Sequence, residues 1–263
     1  ADKVLTAAGS YTSATTAAFT ITVAAANKLA VTTEPSASTA AGTAFAQQPI
    51  VTVQDAFGNT ITTDNTTSVT LALTTGTGTL SGTVNKTAVS GIADFAGLGL
   101  SIQLTGADKV LTASGTYTAA TTAAFTITNA AANKLAVTGE PTASTVAGVA
   151  FATQPIVTVQ DTYGNTVTGD TSLVTLTLTT GTGTLSGTAS MNAVAGIANF
   201  TGKGMSIDLV GADKVLTAAG SYTSATTAAF TITVAAVNKL AVTGEPTAST
   251  VAGVAFATQP VVT

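Results

Sequence analysis

Apolar and polar residues alternate along short stretches of this chain with a period of two. In the segment SVTLALTT, Val69, Leu71 and Leu73 fall on one side and the residues between them on the other. The segment LVTLTLTT repeats this alternation further along the chain. A period of two is typical of a β-strand with one buried face. Each segment therefore predicts a strand that turns its aliphatic residues to a core and its threonines to water.

The sequence also repeats itself on a larger scale. The motif NKLAV begins at Asn27, Asn133 and Asn238, and the two spacings differ by a single residue. The motifs ADKVLTA and AAFTIT recur in the same order. Such self-similarity predicts one structural unit per repeat, stacked in a quasi-linear array.

The repeat divides the chain into four predicted pieces. Residues 27–128 and 133–234 are complete repeats, residues 1–23 are the last part of a preceding repeat, and residues 238–263 are the first part of a following one. Runs of three small residues, AAA or AAV, join them. Linkers this short leave little slack, so the units are expected to lie end to end in a rod. No positively charged and then apolar leader begins the chain, which is expected to be an interior part of a longer array.

Glycine-containing turns separate the alternating runs, and no segment has the 3.6-residue apolar period of an amphipathic helix. Each repeat offers about seven or eight short strands, the number found in an immunoglobulin-like sandwich. The predicted fold class is therefore all-β, with tandem immunoglobulin-like antiparallel β-sandwiches arranged end to end.

The composition argues against several classes of function. Charged residues make up 8% of the chain and the formal net charge is −4, with no basic cluster, so no nucleic-acid partner is expected. No apolar stretch is long enough to span a membrane. Cys and His are absent, which excludes disulfides, thiol chemistry and the usual zinc and haem sites. No clustered acid–base group is evident. We therefore expect no enzyme, no cofactor and no small-molecule substrate.

The segments KLAVTTEP, VTVQDAFGN and GIADF carry a resemblance that covers essentially the whole chain. The sequence resembles bacterial immunoglobulin-like tandem repeats of the invasin type, found in large extracellular adhesin, S-layer and fibre proteins. The resemblance implies a sandwich fold, a location outside the cell or at its surface, and a mechanically extended repetitive protein. It brings no catalytic residues with it.

Oxygen-bearing side chains in the loop after VTVQD are the candidates for a metal site. Calcium prefers such ligands in loops, although the spacing matches no EF-hand. The same side chains are typical of a hairpin turn that caps its own backbone. The weak calcium candidates are Asp55, Asn59 and Asp64 in the first complete repeat and Asp161, Asn165 and Asp170 in the second.

The pair Asp108-Lys109 recurs as Asp2-Lys3 and Asp213-Lys214. Adjacent strand residues point to opposite faces, so the two are not expected to pair with each other. We interpret the pair as the solvent-facing start of a strand. A contact with a neighbouring chain is the alternative.

The low charge gives little repulsion between chains, and few Lys residues, Pro residues or bulges protect the strand edges from pairing. Both features favour association between chains. The leading hypothesis is a structural repeat region that forms or contributes to an extracellular fibre, filament or sheath, with copies of itself as partners. The alternatives are a monomeric stalk that presents a distal adhesive domain, and a glycan- or receptor-binding module.

Overall fold

The computed structural model describes residues 2–263, and these form strands, turns and loops without a helix. The all-β class predicted from the alternation is confirmed. Among these residues, accordingly, no helix is present that could cross a membrane. The residues ahead of the first complete repeat contain four short strands, β1 (Asp2–Lys3), β2 (Thr6–Ala7), β3 (Ala14–Thr15) and β4 (Phe19–Thr20).

The two complete repeats contain the same strands in the same order. The first has β5 (Ala26–Thr33), β6 (Ser38–Ala40), β7 (Ile50–Asp55), β8 (Ser68–Thr75), β9 (Leu80–Ser81), β10 (Asn85–Thr87), β11 (Ile92–Asp94), β12 (Ser101–Ile102), β13 (Gly106–Ser114), β14 (Ala120–Thr121) and β15 (Phe125–Thr128). The second has β16 (Lys134–Gly139), β17 (Ser144–Val146), β18 (Ile156–Gln160), β19 (Leu173–Thr180), β20 (Leu185–Ser186), β21 (Ser190–Asn192), β22 (Ile197–Asn199), β23 (Ser206–Ile207), β24 (Gly211–Ala219), β25 (Ala225–Thr226) and β26 (Phe230–Thr233). The last strands are β27 (Val242–Gly244) and β28 (Val261–Val262).

Two sheets face each other in each repeat. In the first repeat, one sheet has the order β11-β7-β5 and the other β10-β8-β13-β15-β6, with β14 also pairing with β13 and with β9 and β12 forming a separate pair. The second repeat has the matching orders β22-β18-β16 and β21-β19-β24-β26-β17. The sequence therefore builds the same sandwich twice.

One pair of strands in each repeat is parallel, a detail that the antiparallel prediction lacked. β6 runs parallel to β15, and β17 runs parallel to β26. The chain leaves the first sheet after β5, passes the buried Pro35 and joins the second sheet as β6. Proline has no N–H to donate to a ladder, so the first strand divides there between the two sheets.

The predicted alternation matches the observed burial. Val69 and Leu71 are fully buried, and their counterparts Val174 and Leu176 are too. The core of the first repeat contains an edge-to-face pair, Phe45 and Phe125, whose ring centroids lie 5.4 Å apart. The second core repeats it with Phe151 and Phe230 at 5.3 Å. One core is drawn from between residues 29 and 127 and the other from between residues 135 and 232.

Threonines cover the outer face of the larger sheet and pair across strands. The hydroxyl groups of Thr74 and Thr112 lie 2.7 Å apart, and those of Thr179 and Thr217 lie at the same distance. Such cross-strand hydroxyl pairs stabilise a sheet by a few tenths of a kcal/mol, roughly up to 1 kcal/mol. They give this face a polar surface without charge.

Candidate functional site at the junction between repeats

A buried carboxylate organises the hairpin that follows β18. Asp161 Oδ1 accepts hydrogen bonds from the backbone N–H groups of Tyr163 and Asn165, both at 2.9 Å. Its Oδ2 accepts from Asn165 Nδ2 at 2.8 Å and from the backbone N–H of Ala130 at 2.9 Å. The two oxygens of a carboxylate offer about four acceptor positions, so this group is fully used. Ala130 belongs to the linker, and Asp161 therefore joins the hairpin to the linker.

The first repeat makes the same arrangement with its own linker. Asp55 accepts from the backbone N–H groups of Phe57 and Asn59, from Asn59 Nδ2, and from the backbone N–H of Ala24 at 3.0 Å. Asp55 and Asp161 are both without exposed surface. We call this arrangement, a buried Asp that bonds both to its hairpin and to the linker, the carboxylate clasp. It is present in both repeats.

Asn165 connects the second repeat to the first. Its Nδ2 donates to the carbonyl oxygen of Gln103 at 2.8 Å, and its Oδ1 accepts from the backbone N–H of Thr105 at 3.1 Å. Only 7% of Asn165 is exposed. Because Asp161 holds the same side chain from the other side, the loop of the first repeat, the hairpin of the second and the linker between them form one hydrogen-bonded joint.

Tyr163 adds a packing contact to this joint. A methyl group added to Gly42 would lie 2.0 Å from Tyr163 Oη, so the tyrosine ring rests directly on the glycine backbone of the preceding repeat. The counterpart of Tyr163 in the first repeat, Phe57, is 84% exposed, whereas Tyr163 is 38% exposed. The counterpart of Gly42, Gly148, has no atom within 4 Å of an added methyl group. The contact between the repeats therefore covers both the ring of Tyr163 and the backbone of Gly42.

A small open cleft of about 230 Å³ lies beside the joint. It is lined by residues 105–107 and 126–129 of the first repeat and by Thr166 and Thr168 of the second. The lining consists of backbone groups and short side chains without charge. The contacts that fix the two repeats are thus concentrated around the Asn165 hairpin.

The structure brings only some of the calcium candidates together. Asp55 lies with Asn59, and Asp161 lies with Asn165, as described above. Asp64 instead caps Thr66 and Thr67, whereas Asp170 bonds to Ser172 and Tyr222. Within residues 2–263, no three acidic or other metal-binding side chains form a group that could hold an ion. Calcium binding stays a prediction.

Removing divalent metal should leave the melting temperature unchanged. The carboxylate oxygens of Asp55 and Asp161 already accept N–H donors at all of their positions, so a calcium ion would have to displace these bonds. Calorimetry of the full chain in excess chelator and in millimolar calcium tests this. A clear rise of the melting temperature with calcium would establish a site.

The clasps also set the acidity of their carboxyl groups. The side-chain hydrogen bond from Asn59 is the main cause that lowers the pKa of Asp55 from 3.8 to about 2. At Asp161, burial alone would raise the pKa, but the hydrogen bonds from Asn165, Ala130 and Tyr163 outweigh it and the pKa is lowered. The same balance lowers the pKa of Asp64 and of Asp170. In each case the folded structure stabilises the ionised carboxylate relative to the protonated carboxyl group.

Stability should therefore fall at acid pH. A carboxyl group whose folded pKa lies below its unfolded value stabilises the fold fully above the unfolded value and loses that contribution as the pH falls through the folded one. For Asp55 this window runs from pH 3.8 down to about 2. Thermal unfolding between pH 7 and pH 2 should show a level melting temperature that drops only in this range. A drop centred near neutral pH would contradict the assignment.

The Asp-Lys pairs are placed differently from the sequence prediction. Lys109 and Lys214 have no exposed surface, whereas we expected a solvated start of the strand. The backbone alternation of β13 turns Lys109 to the same side as the buried Leu111 and Ala113. Its Nζ donates to the carbonyl oxygens of Thr77 at 2.6 Å and of Thr105 at 3.1 Å. The interpretation as a solvent-facing pair was therefore wrong for the lysine.

Comparison with known proteins gives similarity at the level of structure alone. Neither a protein-family model nor a curated protein matches this chain. A β-glycosidase from Bacteroides vulgatus is 13% identical with a TM-score of 0.33, and the match covers 78% of this chain and 25% of the enzyme. The β-glucuronidase 3 of Bacteroides uniformis is 15% identical with a TM-score of 0.29, over 74% of this chain and 23% of the enzyme.

The adhesin InvE of Yersinia pseudotuberculosis is also similar. It is 16% identical with a TM-score of 0.29, and the match covers 78% of this chain and 58% of the adhesin. The chain thus spans about a quarter of the glycosidases and less than two thirds of the adhesin. At these identities and TM-scores, the likenesses assign no activity, ligand or location to this chain.

The prediction that the chain is not an enzyme is corrected by this comparison. Glycosidases and glycosyl hydrolases of family 2 are prominent among the similar structures. The prediction rested on the absence of His and Cys and on the lack of an evident cluster of acid–base groups. Glycoside hydrolysis needs neither His nor Cys, since pairs of carboxyl groups carry it out. A sandwich fold also serves many functions and does not decide between them.

Proposed function

We propose that this chain is a stiff, extended repeat region of a bacterial surface protein that holds other parts of that protein away from the cell. The observation that carries the proposal is the joint at Asn165. Its two hydrogen bonds to the preceding repeat, at 2.8 and 3.1 Å, join the clasp that Asp161 makes with the linker. A flexible string of domains would need no such bonds between neighbours.

The repeat organisation fits this role. Each repeat has its own core, and the linker between the two complete repeats is pinned at Ala130 rather than free. In such an array every added unit lengthens the rod by a fixed step. The threonine-rich surface with few charges and the resemblance to invasin-type repeats support a location outside the cell.

The orientation of the two repeats in solution tests the proposal. Residual dipolar couplings of the full chain should fit a single alignment tensor for residues 27–128 and 133–234. Replacing Asn165 with Ala should give two different tensors, because the bonds to Gln103 and Thr105 are lost. Two independent tensors in the unchanged protein would refute the stiff joint. Protease treatment of intact source cells, followed by detection of the chain, tests the location.

Self-association into a fibre is the second candidate function, and exposed apolar residues favour it. Val89 and Ile92 flank a tight turn and are 63% and 41% exposed. Their counterparts Val194 and Ile197 are 72% and 39% exposed. A contact point that recurs once in each repeat would let two arrays associate in register.

The edges of the sheets support self-association less than the sequence suggested. Three of the four edge strands, β6, β10 and β11, are only three residues long, and short edges protect a sheet against pairing with another chain. The fourth, β5, has eight residues, and backbone hydrogen bonds between Thr118 and both Asn27 and Leu29 cover part of it. The fibre hypothesis therefore depends on the apolar turns. Sedimentation velocity at rising concentration should show oligomers that the double substitution Val89→Ser and Val194→Ser abolishes. A monomer at every concentration would rule out the fibre.

A further inference from the structure

Lys109 is a buried cation bonded to backbone oxygen atoms at the end of the first repeat that faces the joint. It has no exposed surface, and its Nζ donates to the carbonyl oxygens of Thr77 and Thr105. Burying an ammonium group is costly unless hydrogen bonds compensate for the lost water. An apolar residue at this inward position would avoid that cost, so the lysine calls for a reason beyond filling the core.

Thr105 connects this lysine to the next repeat. Its carbonyl oxygen accepts from Lys109 Nζ at 3.1 Å, and its N–H donates to Asn165 Oδ1 at 3.1 Å. Thr105 is thus hydrogen-bonded through its carbonyl group to its own repeat and through its N–H group to the following repeat. The Gln103 carbonyl, the other partner of Asn165, belongs to the same loop.

We propose that Lys109 is a positioning residue for the joint, which holds the loop around Thr105 where Asn165 of the next repeat can bond to it. This inference rests on the stiff-spacer function proposed above and names the residue that sets its geometry. The ammonium acts at a distance from the second repeat, through the backbone of Thr105. Without it, the loop would keep its sequence but lose the anchor that fixes its N–H and carbonyl groups.

The second repeat contains a matched control. Lys214 is equally buried and donates to the carbonyl oxygens of Thr182 and Val210, the counterparts of Thr77 and Thr105. The loop that it holds is half exposed, at 51% for Leu209 and 50% for Val210. Loss of Lys214 should therefore weaken its own repeat in the same way while leaving the joint between the two complete repeats intact.

The test compares Lys109→Met with Lys214→Met in the full chain. Thermal unfolding should show similar losses in both variants, since both remove the same contacts within a repeat. Residual dipolar couplings should separate them. In Lys109→Met the two repeats should need different alignment tensors, and the N–H of Thr105 should exchange faster with solvent. Lys214→Met should keep a single tensor.

A second pair of variants covers the case in which a repeat unfolds without its lysine. A methyl group added to Gly106 would lie 2.7 Å from Lys109 Nζ, and one added to Gly211 would lie 2.7 Å from Lys214 Nζ. Gly106→Ala should therefore displace the ammonium of Lys109 and loosen the joint. Gly211→Ala should displace the ammonium of Lys214 but leave the joint between the two complete repeats intact.

The outcomes separate the two proposals. A single tensor in the unchanged protein and in both Lys109→Met and Gly106→Ala would overturn the role of Lys109 and leave the stiff spacer standing. Equal loosening by the Lys214 and Gly211 variants would likewise overturn it, since the effect would then be general destabilisation. Independent tensors in the unchanged protein would overturn both proposals.

Discussion

Replacing Asp161 with Ala should destabilise the second repeat by about 3 kcal/mol, because the change leaves buried hydrogen-bond donors without an acceptor. Three backbone N–H groups, those of Ala130, Tyr163 and Asn165, lose their acceptor. Asn165 Nδ2 loses one of its two acceptors and keeps the Gln103 carbonyl. The linker and the hairpin should come apart together. Amide hydrogen exchange, resolved for each repeat, should show loss of protection in the second repeat and little change at the buried strands of the first.

The exposed Asp213 provides the control for charge. It lies on the same repeat, and Asp213→Ala removes the same charge from a surface position, where substitutions usually change stability by about 0.5 kcal/mol or less. Asp161→Asn keeps one acceptor oxygen and should fall between the two. If Asp161→Ala and Asp213→Ala have equal effects, the clasp contributes nothing beyond charge.

Gly42→Ala should open the joint, whereas Gly148→Ala should not. Both glycines have positive φ angles, +71° and +75°, so an alanine meets a similar backbone cost of about 1 kcal/mol at either position. Only at Gly42 would the added methyl group collide with a side chain, Tyr163 of the next repeat. The difference between the variants therefore isolates the contact between repeats.

The measurement is again hydrogen exchange, at the N–H of Thr105 that Asn165 protects. Gly42→Ala should speed this exchange, because Tyr163 and the rest of the hairpin must move outward. Gly148→Ala should leave it as in the unchanged protein while lowering the stability of its own repeat. Equal protection in both variants would mean that Tyr163 moves aside without disturbing the joint.

The strands of the sandwich could be predicted because each follows from the alternation of apolar and polar residues within a few neighbouring positions. Val69 and Leu71 alternate with threonines, and a period of two has only one regular structure to match. The position of Lys109 could have been predicted in the same way, since it precedes Leu111 and Ala113 by two and four residues. The charge of Lys109 suggested an exposed side chain, whereas the alternation of β13 correctly indicates a buried one.

The joint could not be predicted because its partners are distant and lack a sequence signature. Asn165 bonds to backbone groups of residues 60 and 62 positions earlier, and any residue supplies such groups. Asp161 was chosen as a metal candidate for its oxygen atoms, and the turn-capping alternative accounts for two of its four bonds. The bond to Ala130 depends on how the linker is folded back, which composition does not reveal.

The first repeat supplies backbone groups to the joint, and the second supplies a hairpin whose Asp and Asn also occur in the first at Asp55 and Asn59. The residues that present the backbone groups differ between repeats, Gln103 and Thr105 in one and Asp208 and Val210 in the other. The two hydrogen bonds to Asn165 therefore do not depend on which side chains occupy positions 103 and 105. Substitutions at these two loop positions can thus accumulate between copies without breaking the hydrogen bonds that hold one repeat to the next.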